Sequence, residues 1–465
     1  MLPTIRSSRL WLCAAVTVAT LTLACQDDRS APTAPRYAAS GGSDTVIVDS
    51  VSPDNGPRGA TLDVEVRGSG FTRNSHAGFA LDGVVGPSVV TNSTRYVNSG
   101  KLVANITIAG DAVLDLYDVI VTTSTKKPGI GTEMFAVTPT YQDLGTLGGD
   151  YTMANAVNPA GQVVGWSPIG SCRRNRCPPL HAFLWENGSM QDLGTLPGGT
   201  SSSAWGINDL GLVVGDGSIG GNGRAWFWTA QCGMVALPEP AGATSTRAFS
   251  VSNAGLVAGK GYTSTNALLL VWTVSPAACL ATAPEILAVS SPTSPTGAHV
   301  EISETGRVAN LNAYYDRDAA GWHRTEFGSW PGSYAVDIAG DGRTIVGSST
   351  RAATAGAVWT ESSGGPWSLE LLPSIGVGPA TEPEVNGDGT VVTGSSKEKD
   401  SDSSPERAVM WLRSGTTWSV LRLGEPKGSS ASRGRGVATS SAGTTFVAGF
   451  TMQGSATRAV LWTAQ

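Results

Sequence analysis

The feature that most constrains this fold is a repeated pair of landmarks, a turn glycine followed by a tryptophan at the end of an apolar run. The glycine recurs as Gly161, Gly211, Gly255, Gly306, Gly342, Gly389 and Gly443. The tryptophan recurs in step with it as Trp185, Trp228, Trp272, Trp322, Trp359, Trp411 and Trp462. The period of roughly 40 to 50 residues is long enough for one small sheet per repeat.

Each repeat contains several short apolar runs divided by turn residues, which indicates an antiparallel meander. In the second repeat the runs are residues 204–207, 212–215, 225–229 and 235–237. The turn between the first two runs begins at Asn208 and ends at Gly211, where the backbone needs a positive φ. Seven repeats of four strands predict an all-β chain with a seven-bladed β-propeller over residues 140–465.

The two ends of the repeat region complement each other. Residues 140–147 match the fourth run of a repeat but precede the first complete repeat, whereas the last repeat stops after its third run. We therefore expect residues 140–147 to supply the outer strand of the last blade, so that an N-terminal strand closes the propeller and removes an open sheet edge.

The best preserved repeat unit reads His181-Ala182-Phe183-Leu184-Trp185, followed by residues 191–196, Ile207-Asn208 and Val213-Val214-Gly215. These residues resemble the bacterial extracellular repeat named HAF. The resemblance implies an exported repeat protein and carries no assigned activity.

Residues 44–139 form a separate module with alternating apolar residues and dense turn chemistry, which predicts a small β-sandwich. The segment from Val51-Ser52-Pro53 through Gly56-Pro57-Arg58-Gly59 to Gly68-Ser69-Gly70-Phe71 resembles the opening of IPT/TIG domains. That resemblance implies an immunoglobulin-like spacer or partner-binding module.

The first 24 residues are predicted to be a signal peptide, because Arg6 and Arg9 precede an apolar run too short for a transmembrane helix. The run ends in Leu21-Thr22-Leu23-Ala24-Cys25, which resembles a bacterial lipobox. Cys25 would then carry the lipid, and the Pro/Ala/Gly/Ser-rich residues 25–43 would form a flexible tether. The alternative is an ordinary secretory signal. Display on the outer membrane or cell surface and retention in the periplasm both remain open.

Four further cysteines suit an oxidising compartment. Cys172 and Cys177 share one loop, while Cys232 and Cys279 follow the third runs of consecutive repeats. We predict the disulfides Cys172–Cys177 and Cys232–Cys279. The alternative, a four-cysteine metal site, has unsuitable spacing, and no metal or other cofactor is predicted.

Insertions fall on the face that holds the loops between second and third strands, at residues 167–180, 312–318 and 395–406. Such loops on a rigid scaffold usually bind ligands, so this face is the candidate functional surface. Candidate binding residues for an acidic group or a sugar ring are Arg173, Arg174, Arg176, Tyr314, Tyr315 and His323. Solvated loops and blade packing are the simpler interpretations of the same residues.

The sequence favours a binding scaffold over an enzyme. It lacks a nucleophile-elbow serine and an HExxH motif, and its four histidines are scattered. A formal net charge of −6 argues against a nucleic-acid surface. We expect a polysaccharide or envelope protein as partner, and membrane association only through the lipid anchor. The alternative is a glycan hydrolase or lyase, for which carboxylates from different blades would have to meet at the central channel.

Overall fold

The computed structural model describes residues 45–173, 177–290, 300–326, 334–349, 355–362, 366–376, 380–397, 404–426 and 428–465. The predicted signal peptide, tether and lipid site at Cys25 lie outside these residues. The prediction of an all-β chain is confirmed, since the described residues form strands and a single turn of 3₁₀ helix at Pro276–Ala278. They include no helix with the length and apolarity needed to cross a membrane.

The N-terminal part consists of two sheets around one core. Their strands are β1 (Ile47–Ser52), β2 (Asn55–Pro57), β3 (Thr61–Ser69), β4 (His76–Leu81), β5 (Val84–Val85), β6 (Val89–Asn98), β7 (Lys101–Ile108), β8 (Leu116–Thr122) and β9 (Gly129–Thr138). The two sheets have the strand orders β1-β3-β7-β6 and β2-β9-β8-β4-β5.

Alternation along β7 shows why these strands form two layers. Leu102, Ala104, Ile106 and Ile108 are buried, whereas the residues between them are half-buried. Since side chains alternate across a strand, one face of β7 is available to the core. The opposite sheet contributes Phe79 and Phe135, whose rings meet edge to face at 5.1 Å.

Seven further sheets follow, which we number one to seven along the chain. Sheet one contains β11 (Met153–Val157), β12 (Val163–Pro168), β13 (Leu180–Glu186) and β14 (Ser189–Asp192). Sheet two contains β15 (Gly199–Ile207), β16 (Val213–Ile219), β17 (Asn222–Thr229) and β18 (Gly233–Ala236). Sheet three contains β19 (Ser245–Val251), β20 (Leu256–Tyr262), β21 (Ala267–Ser275), β22 (Leu280–Ala281) and β23 (Glu285–Ser290).

The remaining sheets are built in the same antiparallel order. Sheet four contains β24 (Glu301–Ile302), β25 (Val308–Asn310), β26 (Ala313–Asp318) and β27 (Gly321–Glu326). Sheet five contains β28 (Tyr334–Ile338), β29 (Thr344–Ser349), β30 (Ala355–Glu361) and β31 (Trp367–Leu371). Sheet six contains β32 (Ala380–Val385), β33 (Val391–Lys397), β34 (Glu406–Ser414) and β35 (Thr417–Arg422). Sheet seven contains β36 (Ala431–Thr439), β37 (Thr445–Gln453) and β38 (Ala456–Ala464), and its fourth strand is β10 (Thr140–Asp143).

Strand β10 comes from a distant part of the chain. It pairs antiparallel with β38, with Thr140 opposite Thr463 and Asp143 opposite Val460. Pro139 alone separates it from β9 of the N-terminal sheets. At this junction Arg422 of sheet six forms an ion pair with Asp54 at 3.1 Å. Strand β10 therefore ties the N-terminal sheets to the last repeat.

The seven landmark glycines all occupy turns between the first and second strands of their sheets. Each has a positive φ, between 71° and 86°, a region that favours glycine. In each turn the glycine N–H donates to the carbonyl oxygen three residues earlier. In sheets one and two, the turn asparagine also donates its side-chain amide to the next sheet: Asn158 to Asn208 O and Asn208 to Ser252 O, both at 3.0 Å. The turns thus link neighbouring sheets.

Apolar clusters fill the spaces between neighbouring sheets. One cluster lies between each sheet and the next, and a further one joins sheet seven to sheet one through Phe183, Trp185, Ala448 and Leu461. The third-strand tryptophans Trp272, Trp359 and Trp411 are fully buried in these clusters. Because each core needs two sheets, no repeat can bury its apolar faces alone.

Two disulfides are present, with the pairing predicted from the sequence. Cys172 pairs with Cys177 within one loop of sheet one, and Cys232 pairs with Cys279. The second disulfide joins sheet two to sheet three, because the two cysteines follow β17 and β21. It therefore adds a covalent connection between two neighbouring repeats.

Sheet four departs from the predicted repeat pattern. Trp322 lies in β27, the fourth strand, and not at the end of the third. In the other sheets the landmark tryptophan of the third strand pairs with an apolar residue of the second, as Trp359 does with Ile345. The equivalent pair here is Val308 with Tyr315. The assignment of Trp322 was therefore wrong, since a buried tyrosine occupies the tryptophan position.

Candidate functional site

The first strands of the seven sheets meet around a central cavity. Each contacts the first strand of the neighbouring sheet, and β36 of sheet seven contacts β11 of sheet one. The cavity has a volume of about 130 Å³ and is lined by residues from all seven first strands. Its polar and aromatic lining residues are Asn155, Trp205, Phe249, Ser250, Glu301, Asp337, Glu384 and Arg435.

One repeated position supplies the carboxylates of this cavity. In each first strand this position lies directly before an apolar residue. In every sheet the two residues pair with two consecutive residues of the second strand, so the position is structurally equivalent throughout. From sheet one to sheet seven the residues at this position are Ala156, Gly206, Ser250, Glu301, Asp337, Glu384 and Gly436. Four sheets therefore have a small residue there, and three consecutive sheets have a carboxylate.

A β-bulge precedes this position in six of the seven sheets. In sheet one the register shifts between Ala154 and Ala156, and in sheet seven between Gly434 and Gly436. Bulges add one unpaired residue and redirect side chains, and they are common beside functional sites. The bulge residues Asn155, Trp205, Phe249 and Arg435 all line the cavity. Local backbone irregularity thus brings extra side chains to the centre.

Asp337 and Glu384 form a carboxyl pair across the boundary between sheets five and six. Their carboxyl groups interact directly, and each affects the pKa of the other. Asp337 also accepts hydrogen bonds from the backbone N–H groups of Val385 at 2.8 Å and Ile338 at 2.7 Å. Since these bonds fix the Asp337 carboxyl, the pair is held in a defined orientation.

The surroundings favour the protonated form of this pair. Burial, followed by the negative charge of Glu301, raises the pKa of Asp337 to about 8. The pKa of Glu384 is also raised well above its ordinary value, first by burial and then by the charges of Asp337 and Glu301. Arg435 opposes this shift at Glu384. Two carboxyls that share a site cannot both ionise easily, so the pair retains a proton at neutral pH.

Aromatic side chains form the wall contributed by sheets two and three. Trp205 and Phe249 meet at a tilted angle with ring centroids 6.1 Å apart. The indole N–H of Trp205 donates to Asp216, whose pKa is raised by burial. This hydrogen bond fixes the indole ring beside the cavity. The cavity therefore has an aromatic wall in addition to its acidic wall.

Two polar atoms at the cavity have no hydrogen-bond partner among the described residues. They are Oδ1 of Asn155, a residue only 8% exposed, and Nε of Arg435. The amide nitrogen of Asn155 is used, since it donates to Ala204 O at 2.8 Å. The guanidinium of Arg435 lies 5.6 Å from the ring centroid of Phe450. Buried polar atoms without a partner are unfavourable and uncommon, so both atoms are exceptions in this wall.

The cavity can bind a small polar group and exchange a proton with it. Its carboxylates and Asn155 Oδ1 accept hydrogen bonds, its protonated carboxyl donates one, and its aromatic rings offer apolar contact. A cavity of this size holds a group of about six non-hydrogen atoms. No three His, Cys, Asp or Glu side chains within the described ranges are arranged to hold a metal ion.

The binding residues predicted in the first sheet lie away from this cavity. Arg173 is exposed beside the Cys172–Cys177 disulfide, whereas Arg174 and Arg176 lie outside the described residues. Arg173 therefore does not line the central cavity.

The prediction of a binding loop at residues 312–318 was wrong, because residues 313–318 form strand β26. Tyr314 and Tyr315 are buried on opposite faces of this strand, in two different apolar clusters. Neither ring is exposed enough to stack freely on a sugar. His323 is exposed in β27, and its Nε2 lies 2.8 Å from Asp318 Oδ1.

The spacing to the landmark glycine identifies the carboxylate position in the sequence. In six sheets the position lies five residues before the landmark glycine, as Glu301 does before Gly306 and Glu384 before Gly389. Aligning the repeats on the glycine would have placed three carboxylates in consecutive repeats at one structural position. The interaction between Asp337 and Glu384 could not have been found in this way, because it depends on the distance between neighbouring strands.

No protein-family model matches the chain, and no curated protein matches it significantly. Similar solved structures include the β-propeller domain of the Trilobed protease from Pyrococcus furiosus, with 9% identity and a TM-score of 0.46, covering 68% of this chain and 94% of that one. An auxiliary nutrient binding protein from Bacteroides thetaiotaomicron has 9% identity and a TM-score of 0.34, covering 90% and 98% of the two chains. A gluconolactonase from Xanthomonas campestris has 11% identity and a TM-score of 0.34, covering 70% and 95%. Likenesses of this strength assign no ligand or activity to this chain.

Proposed function

We propose that this chain is an exported, lipid-anchored binding protein of the bacterial cell envelope. Residues 1–24 are its signal peptide, Cys25 carries the lipid and residues 25–43 form the tether. Residues 44–139 are an immunoglobulin-like spacer of the IPT/TIG type. Residues 140–465 are a seven-bladed β-propeller of HAF-like repeats, closed by β10, and its centre binds a polar group of a glycan.

The observation that carries this proposal is the set of three carboxylates at one repeated position. Small residues satisfy the fold at the same position in four sheets, so the fold alone does not require Glu301, Asp337 and Glu384. Burial of carboxyl groups is unfavourable unless they interact with partners. Perturbed carboxyls in a cavity are typical of functional sites.

The disulfides and the lipobox resemblance support export, since disulfides persist in oxidising compartments. Hydroxyl and amino groups of sugars would donate to the carboxylates and to Asn155 Oδ1. Trp205 and Phe249 would contact the apolar face of the ring. The cavity volume suits one protruding group of a glycan and excludes a long internal segment.

The second candidate is a glycan hydrolase or lyase, which the shared proton of Asp337 and Glu384 favours. Such a pair places a proton donor next to an acceptor, as acid–base catalysis requires. Glycoside hydrolysis, however, uses carboxyl groups at least about 5 Å apart. Asp337 and Glu384 instead act directly on each other's pKa. We therefore propose binding as the main function.

Thermal unfolding of the purified chain with amino, neutral and acidic oligosaccharides tests the proposal. A ligand of the native state raises the transition temperature. We expect one glycan class to do so, and we expect Glu384→Gln to weaken its binding about tenfold. Glu133→Gln, an exposed carboxylate of β9, is the matched control. Product analysis on the binding glycan separates binder from enzyme, and equal binding by both variants would contradict a central site.

A further inference from the structure

The polar and aromatic side chains of the central cavity follow a fixed order around it. Sheets two and three contribute Trp205 and Phe249, sheets four to six contribute the three carboxyl groups, and Arg435 and Asn155 come from sheets seven and one. The first strands contact one another in sequence order, and β36 of sheet seven contacts β11 of sheet one, so sheet five lies across the cavity from sheets one and two. A bound group would therefore have carboxyl groups on one side and Trp205 and Asn155 on the other.

The lining carries more negative than positive groups. Glu301, Asp337 and Glu384 contribute carboxyl groups, and Arg435 contributes the one cation among the lining residues that the structure describes. The charge of Arg435 already interacts with those of Glu382 and Glu384. Even when the Asp337–Glu384 pair holds one proton, two negative charges remain against one positive charge. A cationic group is therefore favoured in this cavity and an anionic group is disfavoured.

Trp205 offers its ring to the cavity and not its N–H group. The indole N–H donates to Asp216, so it is already used within the protein. The side chain is half-buried and lines the cavity. A cation is attracted to the face of an aromatic ring, most strongly to that of tryptophan. The aromatic wall therefore has the same preference for a cation as the acidic wall.

An unpaired acceptor is an independent sign that the missing group is a hydrogen-bond donor. Asn155 is only 8% exposed, and its amide nitrogen donates to Ala204 O at 2.8 Å. Its Oδ1 has no hydrogen-bond partner among the described residues. An amide oxygen and an ionised carboxylate only accept hydrogen bonds, whereas an ammonium group has three donors and no acceptor. An ammonium group therefore complements this lining better than a hydroxyl group does.

We propose that the central cavity selects the ammonium group of an amino sugar over the hydroxyl group of a neutral sugar and the carboxylate of an acidic one. This inference rests on the proposed glycan-binding function and names the class of glycan. The ammonium group lies between the carboxyl groups and the ring of Trp205 and donates to Asn155 Oδ1. All these residues line one cavity of about 130 Å³, so one group can contact both walls.

Calorimetric titration of the full chain with tetrasaccharides of glucosamine, N-acetylglucosamine, glucose and galacturonate tests this inference. At about pH 6, below the usual pKa of an amine, the glucosamine units carry ammonium groups. We expect the glucosamine tetrasaccharide to bind at least about tenfold more tightly than the glucose and N-acetylglucosamine tetrasaccharides, because it alone brings a charged donor. The galacturonate tetrasaccharide should bind most weakly.

The bound ammonium group should also release a proton from the protein. Burial raises the pKa of Asp337 to about 8 and raises the pKa of Glu384, and a positive charge beside the two carboxyl groups lowers both pKa values. Titration in two buffers of different ionisation enthalpy should therefore show proton release with the glucosamine tetrasaccharide and none with the glucose tetrasaccharide.

Variants of the lining locate the selectivity in the central cavity. Glu301→Gln keeps the shape of the side chain and removes its charge, so it should weaken binding of the glucosamine tetrasaccharide about tenfold and reduce its preference over glucose. Trp205→Leu is a second variant, in case Glu301→Gln does not fold, and should weaken glucosamine binding more than glucose binding. Glu133→Gln, at an exposed carboxylate of β9, should bind like the wild type.

The two proposals fail in different ways. Binding of the glucose, N-acetylglucosamine or galacturonate tetrasaccharide as tightly as the glucosamine tetrasaccharide would overturn the selectivity and leave the glycan-binding function standing. Unchanged glucosamine binding in Glu301→Gln and Trp205→Leu would overturn the selectivity as well. If the wild type binds none of the four tetrasaccharides, both proposals are wrong.

Discussion

Sheets four to six differ from the other four sheets at a single point of the central channel. Sheets one, two, three and seven have Ala156, Gly206, Ser250 and Gly436 there, whereas sheets four to six have carboxylates. The backbone pairing around this position is the same in the sheets with a small residue and in the sheets with a carboxylate. The fold therefore accepts either a small residue or an acid at this position.

The part of the channel formed by sheets one, two, three and seven, which we call the small-residue side, is also sterically restricted. A Cβ added at Gly206 would lie 2.5 Å from the carbonyl oxygen of Phe249, and one at Gly436 would lie 2.9 Å from Ala156 Cα. Neighbouring first strands thus approach closely on this side. The acidic side must leave room for longer side chains, so the cavity is asymmetric.

The largest expected effect comes from placing an acid on the restricted side. Gly206→Glu should lower the free energy of unfolding by more than about 3 kcal/mol, because it combines steric overlap with a buried charge. Gly110→Glu is the control, since a side chain at this exposed glycine meets no atom within 4 Å. Urea unfolding measures both variants. Equal stability of the two would show that the channel is not asymmetric.

A smaller effect should appear in the pH dependence of stability. Because the pKa of Asp337 is raised in the folded state, the stabilisation is present at low pH and is lost as the pH rises from about 4 to about 8. Between about pH 5 and pH 8, wild type should lose about 3 kcal/mol more than Asp337→Asn.

The control for this comparison is Asp111→Asn at an exposed aspartate of the N-terminal part, and the measurement is urea unfolding at both pH values. Asp111→Asn should keep the wild-type dependence. Identical pH dependence in wild type and Asp337→Asn would contradict a carboxyl pair that retains its proton.

The smallest effect concerns the repeat landmark in sheet four. Trp322 is half-exposed and donates to Glu285 at 2.9 Å, so Trp322→Ala should lower the free energy of unfolding by about 1 kcal/mol. Trp359 occupies the buried landmark position of sheet five, and Trp359→Ala should cost about 3–5 kcal/mol. Thermal or urea unfolding measures the stability of both variants. A larger loss of stability in Trp322→Ala than in Trp359→Ala would indicate that Trp322 is the landmark tryptophan of its repeat after all.

Much of the fold could be predicted because its determinants are local. A glycine at Gly211 or Gly389 is needed wherever a tight turn requires a positive φ, and that need is visible in the sequence. The all-β class and the cysteine pairs followed from the same regular spacing. Sheet four was misread because Tyr315 replaces the tryptophan while Trp322 lies seven residues later.

The sequence by itself determined the repeats, their turns and their apolar strands, because each depends on neighbours within a few residues. Only the tertiary structure decided that Asp337 and Glu384 interact and that burial raises the pKa of both, since that requires two strands from different repeats to lie side by side. Periodicity predicts which face of a strand is buried, whereas the distance between two sheets depends on packing throughout the molecule.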